Sequence, residues 1–386
     1  MIPFARYWSL VTGRCFVPCA LGPVLSPLQQ RADCVMLVII QNEHRDGSFY
    51  RHEIAKKLSR RYAVEEVSIN EISGFRIGQA QDDKAATGCT VIICENGAVS
   101  GVDVRGGSPG TRDTDALRPE NNREKVHAVI FSGGSAFGLD SAGGVMKFLE
   151  NKRVGRDVGV TVIPNVCAAI LYDLQCGRHD IRPDEIMGYA ACENAFAGQK
   201  WTSGNYGAGA GATLGTILGN ERAMKGGIGS FAYKHGDLYT GAIVAVNCVG
   251  DVYDSRQSKI IAGARNADGT GFANSEEAVV EIYNKSIDIF SGNTILACIL
   301  TNARLTKGQA TKLSSLGHNG IARAIRPSHT VFDGDTVFSM CTGEVAASLD
   351  SVGVLACMAV ERAIVDAVVS AKSVGQFIAA RDMCCE

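Results

Sequence analysis

From Ile69 onward the chain alternates short, continuous apolar runs with longer amphipathic stretches, and that alternation limits the folds open to it. Thr90-Val91-Ile92-Ile93-Cys94 is one such run, and residues 126–131, 158–163, 241–246, 294–300 and 337–341 are others. Strands this uniformly apolar need cover on both faces. Helical patterns at 136–151, 184–197, 306–325 and 350–371 can provide it. The third opens on a capping box, Thr306-x-x-Gln309, and carries an apolar stripe of Leu313, Leu316, Ile321 and Ala324. Asn96-Gly97 reads as a hairpin turn between 90–94 and a returning strand at 99–104, so part of the sheet is antiparallel. That weakens a doubly wound parallel fold and favours sheets sandwiched between helices.

The length, 386 residues, allows two or three domains or one large α/β unit, and 46% hydrophobic content allows a large core. Net charge is −2, and no Lys/Arg run marks a nucleic-acid surface. The 14 cysteines show no C-x-x-C pair and no Cys/His set at zinc spacing, so they read as buried free thiols in a reducing cytoplasm. Residues 1–68 read as a poorly specified extension, with an extra strand and helix as one possibility. Arg14 breaks a signal-peptide core there, and the run from Cys34 to Ile40 is too short to span a membrane. The apolar stretch at 352–369 is interrupted by Glu361, Arg362 and Asp366, which fits a buried helix rather than a membrane span.

Chemistry concentrates around Asn293-Thr294 and Asp333-Gly334-Asp335. Thr294 opens an apolar strand after a polar approach. Such a pair is commonly an ordinary loop-to-strand junction. It is also what an enzyme needs to cut its own chain. The hydroxyl attacks the preceding carbonyl, the amide becomes an ester, and water frees a Thr whose α-amine, with a pKa of about 7.7–8, can serve as base. Asp333-Gly334-Asp335 is either an Asp-Gly turn or a carboxylate pair that orients the new Thr294 terminus. It fails as a calcium loop, with Phe338 at the glycine position and Val337 at a ligand position. His329, His318 and His235 read as structural or surface residues.

Two glycine motifs are weaker. Gly207-Ala208-Gly209-Ala210-Gly211-Ala212 loosely fits a dinucleotide fingerprint, but a polar, turn-prone stretch precedes it where a strand is required. Close backbone approach near an active-site loop is the better reading. Gly134-Ser135-Ala136-Phe137-Gly138 fails as a nucleophile elbow and reads as a tight turn presenting N–H groups at a helix start.

Several longer strings occur together: residues 101–115 from Gly101 to Asp115, residues 132–144 opening Ser132-Gly133-Gly134-Ser135, Lys225-Gly226-Gly227-Ile228-Gly229, Val246-Asn247 followed by Gly250-Asp251, Gly292-Asn293-Thr294 and Phe332-Asp333-Gly334-Asp335. With these the chain resembles, from about residue 69 to 370, peptidase family S58. That family comprises L-aminopeptidase/D-esterases, β-peptidyl aminopeptidases and nylon-oligomer hydrolases. The resemblance implies an αββα sandwich of the self-cleaving N-terminal-nucleophile type, with a hydrolase domain at 69–386 cut into 69–293 and 294–386. It implies Thr294 as nucleophile, Asn247 and Tyr172 as oxyanion or positioning groups, and Asp333 and Asp335 as orienting acids. Relatives often carry Lys where this chain has Thr216, which makes Lys225 a candidate replacement cation, the alternative being a solvated loop lysine. The expected activity is hydrolysis of small peptides or amino-acid-like amides by a cytoplasmic homo-oligomer of cleaved heterodimers, without cofactor, metal, nucleic acid or membrane. Acetyl transfer, as in ornithine acetyltransferases, and an inactive scaffold are the alternatives.

Overall fold

The computed structural model describes residues 64–282 and 292–383. The N-terminal extension as far as residue 63, and the polar approach as far as Ser291, lie outside the described residues. Those described belong to one compact unit.

The strands are β1 (Glu65–Val67), β2 (Arg76–Asp82), β3 (Thr87–Val104), β4 (Thr111–Arg112), β5 (Lys125–Ser132), β6 (Arg156–Asp157), β7 (Val162–Ile163) and β8 (Val166–Ile170). They continue with β9 (Thr213–Leu214), β10 (Met224–Lys225), β11 (Gly227–His235), β12 (Leu238–Asn247), β13 (Asp251–Asp254), β14 (Lys259–Ala262), β15 (Thr294–Ala303), β16 (Ile325–Arg326) and β17 (Thr336–Val345). The α-helices are α1 (Ser141–Asn151), α2 (Glu185–Phe196), α3 (Ser275–Glu281), α4 (Lys307–Ala324) and α5 (Leu349–Ser370).

One hydrogen-bonded path runs β1-β11-β12-β15-β17-β3-β5-β8-β4, with β2 added on β3. Its two halves face each other, because alternate side chains of each strand point to opposite layers. From β15, Leu296, Cys298 and Leu300 enter a central cluster that also holds Ile92, Val129, Phe131 and Phe338. Their neighbours Ile295, Ala297 and Ile299 pack on the other side with α4 and α5 residues such as Leu313, Ile321, Val360 and Ile364. From the other half, Val91, Ile93, Ala128 and Ile130 pack against Val145, Leu149 and Ala191 of α1 and α2. The layers are therefore α, β, β, α. Phe131 and Phe338 meet between the two sheet halves with ring centroids 6.4 Å apart.

Two local expectations are corrected. Asn96-Gly97 is no hairpin turn: β3 runs unbroken from Thr87 to Val104. Its register against β5 slips between Ile93 and Ala98, and Gly97 takes φ +68°. The extra residues bulge and bend the strand, so its first half pairs with β2 and its second with β17. Pairing with β5 on both sides of the bulge is what keeps the chain from turning back. Residues 158–163 are likewise not one strand. Gly159 at φ +86° and the Val158 N–H to Thr161 carbonyl bond turn the chain between β6 and β7. The helix expected at 136–151 begins as a 3₁₀ segment, Ser135–Asp140, and becomes α-helical at Ser141. The capping box at Thr306 forms as expected.

The nine described cysteines are all free; Cys176 is partly exposed and the rest are buried. No described helix is long and apolar enough to cross a membrane.

The aromatic contact between the sheet halves makes a stability prediction. Phe131→Ala should lower the unfolding free energy by about 3–5 kcal/mol. Urea titration measures this, and a loss below about 1 kcal/mol would show that the two halves do not depend on that contact.

Candidate active site

The site forms where three strand ends meet. β12 and β15 are antiparallel with Asn247 opposite Thr294, so the last residue of one strand faces the first of the other. β15 and β17 are parallel, with Leu296 opposite Thr336, so their N-terminal ends lie side by side. A parallel bridge between Asn293 and Asp333 extends this pairing one step outward. Two segments forty residues apart in sequence are thus brought into hydrogen-bonding contact by strand pairing alone.

Thr294 is 3% exposed and Asn293 2%. The Thr294 hydroxyl lies 2.5 Å from the Asn293 carbonyl oxygen. That carbonyl also accepts the Gly334 N–H at 2.8 Å. Gly334 must be glycine here, because a Cβ would stand 2.7 Å from Thr294 Oγ1. Thr216 Oγ1 donates to Asn293 Oδ1 at 3.0 Å, so Thr216 touches the residue before Thr294.

Asn247 is fully buried and its orientation is decided by a backbone donor. Its Oδ1 accepts the Thr213 N–H at 2.8 Å, which turns Nδ2 toward the Gly292 carbonyl at 3.2 Å. Tyr172 packs its ring on Gly292, where a Cβ would lie 2.7 Å from its Cβ and Cγ. Its hydroxyl accepts from Gln175 Nε2 at 3.2 Å.

The two aspartates are buried and held differently. Asp335 Oδ1 accepts the Ile295 N–H at 2.8 Å, while Oδ2 accepts the His329 N–H at 3.1 Å and pairs with His329 Nδ1 at 2.7 Å. Asp333 Oδ2 accepts from Thr330 N and Oγ1 at 2.9 and 2.7 Å, and its Oδ1 is 3.5 Å from Val249 N. Burial, and then the neighbouring Asp335 charge, push the Asp333 carboxyl up to about 7. The loop after β3 closes over the pair. Ser108 N–H donates to the Asp333 carbonyl at 2.8 Å, and Gly106 sits so close that a Cβ would be 2.2 Å from that carbonyl oxygen.

Lys225 is fully buried, which excludes a solvated loop lysine. Its ammonium donates to the carbonyls of Gly209, Ala212 and Gly226 at 2.9, 2.8 and 3.3 Å. An ammonium has three donors, and all three are spent on backbone. Burial lowers it to about 8. Its link to the site runs through the loop it grips, since Thr213, next to Ala212, holds Asn247. Asp173 lies beneath the same loop, with its carboxyl pushed up to about 6 by burial. Its Oδ1 takes the Gly134 N–H at 2.7 Å, and the Leu171 carbonyl takes the Ser135 N–H at 3.0 Å. The N–H groups expected to face outward at that turn are therefore used internally.

The structure thus gathers Thr294, Asn293, Asn247, Tyr172, Asp333 and Asp335 around one peptide bond and places Lys225 behind the loop that supports Asn247. Sequence reasoning missed Gly334 and His329 as participants. The signal for both was their place beside the acid pair in His329-Thr330-Val331-Phe332-Asp333-Gly334. Among the described residues no group of three or more His, Cys, Asp or Glu side chains could hold a metal ion.

The profile of peptidase family S58 matches residues 67–380. The chain belongs to that family. It is 35% identical over 338 residues to a protein called an uncharacterized aminopeptidase of Mycobacterium leprae, covering 80% of this chain and 91% of the relative. It is 30% identical to the 6-aminohexanoate-oligomer endohydrolase of Paenarthrobacter ureafaciens, covering 71% and 75%. Among solved structures it resembles an L-aminopeptidase D-Ala-esterase/amidase from Ochrobactrum anthropi, described as a variant of the Ntn-hydrolase fold. The TM-score is 0.59 at 17% identity, covering 84% of this chain and 94% of that one. A Burkholderia β-aminopeptidase gives a TM-score of 0.55 at 20% identity, covering 80% and 88%. The family and the relatives make the chain an aminopeptidase- or amidase-like hydrolase of peptide or amide bonds, on a fold shared with Ntn hydrolases.

Two predictions follow from the buried charges. Lys225→Met should leave loop carbonyls without partners and cost about 2–4 kcal/mol of stability. Thermal unfolding measures this, and an unchanged melting temperature would show that the loop does not depend on the ammonium. For Asp333 the folded state holds the proton more tightly than the unfolded chain, whose carboxyl titrates near 3.9. Its stabilising contribution is full below about pH 4 and is lost as pH rises to about 7. Asp333→Asn should therefore gain stability relative to wild type as pH rises through that window. Parallel unfolding free energies from pH 4 to 7 would refute it.

Proposed function

We propose that this chain cuts its own Asn293–Thr294 bond and then uses Thr294 as an N-terminal nucleophile on small peptides or amino-acid-like amides. The observation that carries the reading is the Thr294 hydroxyl seated over Gly334 and against the Asn293 carbonyl, with Asp335 accepting the next N–H of the same strand, Ile295. In the first step the Thr294 oxygen bonds to the Asn293 carbonyl carbon and passes its proton to a carboxylate of the pair. The developing oxyanion is met by the Gly334 N–H. The C–N bond then breaks, the Thr294 nitrogen takes a proton from the protonated member of the pair, and an ester remains. Water opens the ester to the Asn293 carboxylate and the Thr294 hydroxyl.

The freed α-amine, ordinarily near pH 7.7–8, then serves as base for its own hydroxyl. Asn247 Nδ2 already points at the segment that leaves, so it is placed to donate to a substrate oxyanion once that segment has moved. The names of the relatives, an aminopeptidase and a 6-aminohexanoate-oligomer endohydrolase, support short amide-linked chains as substrates.

Purified wild-type protein should separate on a denaturing gel into two fragments, with intact mass placing Thr294 first on the smaller. Thr294→Ala should stay whole and inactive, and Thr294→Ser should retain part of both steps. Asn247→Ala should lose roughly 10²–10³ in turnover. A wild-type chain that stays full length after long incubation at neutral pH, or a Thr294→Ala chain that is cut normally, would sink the proposal.

A further inference from the structure

His329 belongs to no part of the chemistry assigned so far, yet it is built into the acid pair. It adopts φ +59°, a left-handed conformation uncommon outside glycine. That conformation turns its main-chain N–H and its Nδ1 toward the same oxygen, Asp335 Oδ2, at 3.1 and 2.7 Å. With the Ile295 N–H on Oδ1, both oxygens of a fully buried carboxylate are engaged. Two of these three contacts, from His329 N–H and Ile295 N–H, are main-chain donors and cannot reverse roles. The Nδ1 contact is the one partner a substitution can remove.

The charges around His329 are arranged on three elements. Asp335 and Asp333 lie on its own loop. His318 of α4 packs edge-on against it, with ring centroids 4.7 Å apart. Asp103 and Arg105 lie at the end of β3 and behind His318: His318 Nε2 is 3.0 Å from the Asp103 carbonyl oxygen, and Arg105 Nε is 3.0 Å from Asp103 Oδ2. His318 must donate from Nε2 to that carbonyl, which leaves Nδ1 as an unpartnered lone pair in the neutral ring. Burial lowers His318 to about 4, so α4 presents no imidazolium to His329 near neutral pH. Arg105 balances Asp103 and also donates through its main-chain N–H to the Asp335 carbonyl at 3.0 Å. The third element thus fixes the backbone of Asp335, and His329 fixes its side chain.

We infer that His329 is the positioning residue of the acid pair: its Nδ1–H holds Asp335 as the carboxylate and leaves the proton of the pair on Asp333. The two aspartates then take different parts. Asp335 accepts the proton that leaves the Thr294 hydroxyl, and Asp333 supplies the one the departing nitrogen needs. Removing the Nδ1 contact leaves Asp335 with main-chain partners alone and blurs the division between the pair. This rests on the self-cleavage reading for its consequence, but not for its test.

The variants follow from the backbone. His329→Gly keeps the left-handed conformation without strain and deletes the side-chain donor. His329→Asn also tolerates that conformation and restores an N–H near the Nδ1 position. In the Thr294→Ala background, which holds the chain whole, carboxyl ¹³C titration reads Asp335 directly. The Gly variant should release its proton about one pH unit higher than the parent, and the Asn variant within a few tenths of it. In chains with Thr294 intact, made by cell-free translation and moved into buffers from about pH 5 to pH 9, the acid limb of the self-cleavage rate should shift by the same amount in the Gly variant and be rescued in the Asn variant. Thermal midpoints of the two variants should agree, since both keep the fold. Superimposed carboxyl titrations of parent and Gly variant would overturn the inference, as would an Asn variant that shifts as far as Gly. A wild type that never cuts itself while the carboxyl shift persists would instead overturn the self-cleavage reading and leave the role of His329 standing.

Discussion

The parallel register between β15 and β17 governs the rest of the site. It places the first residue of one central strand beside the residues that lead into the other, so Thr294 and the Asp333–Asp335 turn share one edge of a buried sheet. Antiparallel pairing with β12 brings Asn247 opposite Thr294 from the other side. Shifting either register by one residue would turn the core-facing set outward. The alternation of Ile295, Ala297 and Ile299 with Leu296, Cys298 and Leu300, each set filling a separate layer, therefore fixes the geometry of the chemistry. Packing on both faces of β15 is what makes the position of Thr294 unique.

Burial then decides the electrostatics. Two carboxylates so close in a low-dielectric site cannot both ionise cheaply, and the donors around them are unequal. Asp335 accepts two main-chain N–H groups and pairs with His329 Nδ1, whereas Asp333 is gripped by a hydroxyl and one N–H, with a third donor at long range. The asymmetry sends the proton to Asp333. The positive charge of Lys225 is kept out of this balance by the glycine-rich loop, whose carbonyls take all three of its donors. Asp173 on the far side of that loop is its nearer counter-charge.

Much of this was legible because period and composition report burial directly. The uniformly apolar runs gave the central strands, the capping box at Thr306 gave the start of α4, and the company of Asn293-Thr294 with Asp333-Gly334-Asp335 gave the site. What stayed hidden depended on tertiary contact. Asn96-Gly97 carries the local chemistry of a hairpin, but continued pairing with β5 on both sides turns it into a bulge. β11 contains Gly227, Gly229 and Ser230, which weaken a strand pattern. Those glycines are needed because α5 packs so near that a Cβ at Gly229 would stand 2.3 Å from the Ala363 carbonyl. Lys225 read as either a replacement cation or a solvated loop lysine, because carbonyls arranged to receive it leave no mark in sequence. His329 read as structural because its partner is an aspartate six residues on, and only the left-handed backbone brings the two together.

Thr216 touches the residue before Thr294 without bringing a charge to it. A lysine there would put a full charge beside Asn293. Thr216 instead gives a neutral hydrogen bond to the Asn293 side chain. A neutral donor orients that side chain but does little to stabilise developing negative charge, so the charge on the tetrahedral carbon must be met elsewhere. The Gly334 N–H is already 2.8 Å from the carbonyl oxygen and costs no reorganisation as charge develops. On the self-cleavage reading, that preorganised amide is the donor placed to meet the charge a cation would otherwise meet. On this reading the positive charge of the working enzyme arrives only afterwards, when the chain opens and Thr294 gains its own ammonium beside two carboxylates shaped to receive it.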